Sequence, residues 1–143
     1  MTNLSAGVHT FSATLKTAGS QSLTATDAAT SSITGTQSGI TVSPAAVDHF
    51  AVSAPSSVTA GTAFNVTVTA QDVYGNTVTG YQGKVHFTSS DPGAVLPSNY
   101  TYKASDKGVH TFSVRLKTKG SQTVTVTDQS NSSITGTATV SVS

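Results

Sequence analysis

The chain has 143 residues, 36% of them hydrophobic and only 9% charged, with a formal net charge of +1 and neither Cys nor Glu. That composition rules out a disulfide framework or thiolate metal site. It also leaves no apolar run near the roughly 18 residues of a membrane-spanning helix, and its near-neutral charge argues against nucleic-acid binding. Ser and Thr account for 22 and 26 residues, and Thr with Val suits a half-buried pleated surface.

The opening "MTNLSAG" lacks the basic and apolar regions of a signal peptide, so any export signal is expected outside these residues. Residues 7–27 read "GVHTFSATLKTAGSQSLTATD", and residues 108–128 read "GVHTFSVRLKTKGSQTVTVTD". A shift of 101 positions (108 − 7) aligns 7–36 with 108–137, and 21 of those 30 positions are identical. After a one-residue slip, Ile40-Thr41-Val42-Ser43 matches Val140-Ser141-Val142-Ser143. Internal repetition at such a period marks an array of like modules. Residues 1–43 are therefore expected to be the rear half of one repeat, 44–47 a linker containing Pro44, and 48–143 a complete repeat.

Within the complete repeat, apolar and polar residues alternate with period two, the pattern of strands buried on one face. Short strands are expected at residues 49–53 and 100–103. Phe64, Val66, Val68 and Ala70 share one face of the next long strand, and Val85 and Phe87 one face of another. Further along, His110, Phe112, Val114 and Leu116 face inward, as do Val124 with Val126, and Ala138 with Val140 and Val142. Turn signals separate the runs at Ala60-Gly61, Tyr74-Gly75-Asn76, Asp91-Pro92-Gly93, Lys119-Gly120, Ser130-Asn131 and Gly136. About seven short strands in under 100 residues predict an all-β, antiparallel immunoglobulin-like sandwich.

The stretches "AGTAFNVTVTAQDVYGNTVTGYQGKVHFTSSDP" and "GVHTFSVRLKTKGSQTVTVTD" resemble bacterial immunoglobulin-like repeats of the invasin/intimin type. The resemblance rests on Gln71-Asp72, the Gly75-Asn76 turn, Val85 and Phe87, and the closing Thr127-Asp128. It implies a non-enzymatic stalk, spacer or ligand-binding module of an exported bacterial surface protein. Its implied location is extracellular or on the cell surface, and its implied partners are neighbouring repeats.

Residues able to carry chemistry are few. His49, His86 and His110 with Asp72 form the candidate set for a small β-sandwich hydrolase, the alternative function. His9, His49, His86 and His110 are the candidate ligands for Zn²⁺, although repeat-equivalent His9 and His110 read first as core-edge rings. No cofactor is expected. A Ca²⁺ site on Asp carboxylates stands against a simpler role for Asp27, Asp72 and Asp128 in capping turns. Arg115, Lys117 and Lys119, with Lys103 and Lys107 upstream, mark a contact surface for an anion, a polysaccharide or a protein. Edge-protecting lysines are the plainer reading.

The half repeat supplies about three strands whose apolar face has no cover of its own. Either it competes with 108–143 for the front half at 48–107, or it docks on another chain. Both routes predict self-association.

Overall fold

The computed structural model describes residues 7–143. They fall into two compact units, one the described part of residues 1–43 and the other residues 44–143.

The second unit is an immunoglobulin-like antiparallel sandwich, as the alternation predicts. One sheet has the order β3 (His49–Ser53), β5 (Ala63–Gln71), β8 (Val109–Arg115). The other has the order β4 (Ser57–Val58), β10 (Thr135–Val142), β9 (Gly120–Asp128), β6 (Lys84–Ser89), β7 (Tyr100–Thr101). Every pairing is antiparallel except that of β4 with β10. Pro55 separates β3 from β4, and its missing N–H ends the first ladder where the chain crosses to the second sheet.

Inward positions of both sheets form one core. Val66, Val68, Val85, Val124, Val126 and Val140 are fully buried, and Phe87 meets Phe112 edge-to-face at 4.7 Å. Burying each such side chain contributes about 1.5–3 kcal/mol. A one-residue slip of any strand would turn its whole apolar set to solvent, so the alternation also sets register. Gly136, expected at a turn, instead lies within β10. A Cβ there would press into the Phe50 carbonyl group and lie 3.0 Å from a Val52 methyl. Its role is close packing of β10 on β3. Residues 44–47, expected as a linker, are tied to this unit: the Ala45 N–H donates to Asp72 Oδ2 at 2.9 Å, and Val47 packs on the core.

The first unit contains the antiparallel hairpin β1 (Gly19–Thr26) and β2 (Thr34–Val42). It reproduces the threonine pairs of β9–β10. Thr24 meets Thr36 at 2.9 Å as Thr125 meets Thr137 at 3.0 Å, and Thr26 meets Thr34 at 3.1 Å as Thr127 meets Thr135 at 3.1 Å. The slip seen in the sequence is a β-bulge: Gln21 faces Ile40, Leu23 faces Gln37, and Gly39 holds a positive φ of 71°. Glycine suits that left-handed position. Ile40 and Val42 thereby keep the partners that Val140 and Val142 have in the second unit.

Three strands were expected in this unit and two are present among its described residues. Residues 9–14, within the counterpart of β8, form no strand. Hairpin bonds are local, whereas β8 is laddered by β5 and bridged at Arg115 to Val95, both distant in sequence, and no described residue of the first unit plays the part of β5.

Candidate functional site

The histidines are dispersed. On β3, His49 has Nδ1 3.0 Å from Asp48 Oδ2 and Nε2 3.0 Å from Gln71 Oε1. His110 lies on the other side of β5, in register with Val68 rather than Gln71. His86 belongs to the opposite sheet and points outward, with Nδ1 2.7 Å from Asn99 Oδ1. His9 is in the first unit, its ring 4.7 Å from that of Phe11. The structure therefore does not bring His49, His86 and His110 together: His49 and His110 lie on opposite sides of β5, and His86 is on the other sheet. Among the described residues no three His, Cys, Asp or Glu side chains are placed to share a metal ion.

His110 instead belongs to an aromatic cluster. Its ring stacks on Tyr100 at 4.2 Å and tilts against Phe112 at 4.7 Å. Asp106, in the 3-10 turn Ala104–Asp106, accepts from His110 Nδ1 at 3.0 Å, the Tyr100 hydroxyl at 2.8 Å and the Lys103 N–H at 2.9 Å. A carboxylate only accepts, so Nδ1 carries the proton. The Lys103 N–H holds the Asp106 carboxyl below its ordinary range against opposing burial, with help from Tyr100 and His110. Burial, then the bond to Asp106, pushes Tyr100 up. The Tyr102 hydroxyl donates to the Val68 carbonyl at 2.8 Å, and burial raises it as well.

The aspartates act as turn clamps. Oδ1 of Asp128 accepts from the N–H groups of Ser130 and Asn131 at 2.8 and 3.0 Å, and Asp27 does the same with Ala29 and Thr30 at 2.8 Å each. Asp72 is fully buried and accepts from Tyr74, Asn76 and Ala45 N–H groups and from the Asn76 side chain. Burial pushes its carboxyl up, but those four bonds outweigh it and bring it to about 2. A ring of N–H donors holds an anion, not a cation, and this geometry accounts for Asp72 without a catalytic or Ca²⁺ role.

Asp91 was legible only as a turn residue, yet it is a clamp with as many bonds as Asp72. It accepts from Gly93 N–H at 2.8 Å, Lys117 N–H at 2.6 Å, Thr118 N–H at 2.9 Å and the Thr118 hydroxyl at 2.7 Å. The Thr118 N–H, against opposing burial, holds its carboxyl well below the ordinary range. The partners at 117–118 lie 26 and 27 positions along the chain, which no local motif announces.

The basic residues form two groups. Lys103 and Lys107 flank the 3-10 turn before β8, while Arg115 ends β8 and Lys117 and Lys119 follow it. All five are exposed. Eight residues from 107 to 115 are roughly 26 Å of extended backbone, so β8 holds the groups apart.

Apolar positions of the first unit are more exposed than their counterparts in the second. Val8, Phe11, Leu23 and Ile33 are 75%, 70%, 48% and 62% exposed, whereas their counterparts Val109, Phe112, Val124 and Ile134 are 39%, 7%, 0% and 9% exposed.

No protein-family model and no curated protein sequence matches the chain. Among solved structures it is similar to a β-glycosidase from Bacteroides vulgatus, with a TM-score of 0.59 and 16% identity over 75% of this chain and 15% of that one. It is similar also to a glycosyl hydrolase family 2 member from Bacteroides cellulosilyticus, with a TM-score of 0.60 and 16% identity over 76% of this chain and 16% of that one. The S-layer protein SbsC, domains 4 and 5, aligns with a TM-score of 0.49 and 28% identity over 78% of this chain and 52% of that one. The chain spans about a sixth of the two glycosidase chains, and at that identity the likeness is one of fold. No helix among the described residues is long and apolar enough to cross a membrane.

Proposed function

We propose that the chain is a non-enzymatic immunoglobulin-like repeat module, of the stalk or spacer type, in an exported bacterial surface protein. The observation that carries this reading is the duplicated hairpin: β1–β2 and β9–β10 share the same threonine and aspartate bonds. What the chain repeats is architecture, and the His and Asp side chains common to both copies serve that architecture. A surface rich in Ser and Thr and poor in charge suits an extracellular array. Neighbouring repeats are its partners, with the open half repeat as the point of association. The two basic groups are its contacts for an acidic glycan or protein.

The test assays the purified chain for ester, phosphate and glycoside hydrolysis and for retained divalent ions, beside His49→Ala, His86→Ala and His110→Ala. No turnover or ion dependent on these residues is expected. Turnover abolished by any one substitution overturns the reading in favour of a hydrolase.

A further inference from the structure

In the second unit the rear half, residues 108–143, is covered by the front half at several places, β4 on β10 among them. Strand β5 pairs with β8 from Ala63↔Arg115 to Thr69↔Val109, and β6 pairs with the outer edge of β9 from Val85↔Asp128 to Ser89↔Val124. Tyr81 then donates to Oδ2 of Asp128 at 2.5 Å. Among the described residues of the first unit, β1 is paired only with β2, residues 9–14 form no strand, and Phe11 is 70% exposed. Strand β1 carries no charged residue, although exposed sheet edges are ordinarily guarded by charge, Pro or cover. The interface already built inside this chain therefore identifies what is missing from the other copy.

Resting on the repeat reading above, we propose that this face binds an unfilled front half of the same repeat type. Such a partner is a polypeptide with the pattern of residues 44–107 that adds strands to residues 8–14 and to β1. A second intact copy is a poor donor, since its front half is already filled by its own residues 108–143. Displacing those would put Ala13 and Ala25 where Val114 and Val126 fill the core, leaving cavities.

The experiment adds a polypeptide of residues 44–107 to the full chain and follows binding with amide hydrogen exchange. Saturable one-to-one binding is expected, with residues 8–14 passing from fast to slow exchange as in β8. Phe11→Asp abolishes it, Ser12→Asp leaves it intact because Ser113 is exposed in the completed copy, and Tyr81→Phe in the added segment weakens it several-fold. A chain carrying 44–107 fused ahead of Gly7 through a flexible linker repeats the exchange measurement without depending on the segment's solubility. Failure of residues 8–14 to gain protection in both formats overturns the proposal, as does binding indifferent to Phe11→Asp or a homodimer that excludes the segment. Hydrolytic turnover would sink the repeat reading separately, whatever the exchange result.

Discussion

The Tyr81 hydroxyl donates to Oδ2 of Asp128 at 2.5 Å, while Oδ1 of the same carboxylate caps the turn into β10. One aspartate thus joins a loop of the front half to the closing hairpin, 47 residues away. Tyr81→Phe removes the donor and leaves a buried carboxylate oxygen short of a partner, which costs about 1.5–3 kcal/mol. A lowered urea midpoint at unchanged slope is the expected result. Asp128→Ala falls further because it also loses the turn cap, and an unshifted Tyr81→Phe midpoint would contradict the bond's role.

Gly136 and Gly35 occupy equivalent positions with opposite surroundings. A Cβ at Gly136 would collide with the Phe50 backbone, whereas one at Gly35 meets nothing within 4 Å. Gly136→Ala is expected to cost about 1–3 kcal/mol through overpacking. Gly35→Ala should stay within about 0.5 kcal/mol of zero. Equal effects on the unfolding of residues 44–143 would refute the close approach of β10 to β3.

Acid should weaken the second unit through its clamps. Asp72, Asp91 and Asp106 all sit below the ordinary 3.8, Asp72 at about 2. Depressed carboxyls bind protons more readily in the unfolded chain, so their stabilisation is present above the unfolded value and disappears as pH falls through the folded one. The urea midpoint should be insensitive to these groups above about pH 5 and drop between about pH 4 and pH 2. Asp72→Asn should flatten that drop. A midpoint constant down to pH 2 would count against the clamps.

The basic groups should act independently. Their separation of roughly 26 Å exceeds the Debye length of about 8 Å at physiological salt. Substituting Lys103 and Lys107 with Ala, or Arg115, Lys117 and Lys119 with Ala, should each lower the salt needed to elute the chain from a sulfated-glycan column. The five-residue variant should show the sum of the two decrements. A five-residue variant eluting with either partial one would instead indicate a single patch.

Inward positions such as Val66, Val68, Val85 and Phe87 were legible because a strand writes its buried face into every second residue. Capping by Asp27, Asp72 and Asp128 was legible too, since those bonds reach only a few positions onward. Asp91 with Thr118, Tyr81 with Asp128, and Tyr100 with Asp106 and His110 were not, because the groups meet only after the sheets stack. Strand β4 has two residues and depends on parallel pairing with β10, too short for any period to register. Gly136 reads as a turn by residue type, and only the Phe50 backbone beside it gives the real reason. Parity grouped Arg115, Lys117 and Lys119 as if on one strand, but β8 ends at Arg115, and its length sets the distance to Lys103 and Lys107.

The bulge at Gly39 is how this hairpin accommodates a difference in length between its two copies. An inserted residue would ordinarily invert the inside and outside of everything after it and destroy the copy. Here the left-handed glycine absorbs the extra residue locally, and Ile40 and Val42 resume the parity that Val140 and Val142 keep. Copies of this hairpin can therefore gain a residue without losing their core, provided a glycine arrives with it. Length variation among modules of this type should concentrate at that one position of the second hairpin strand.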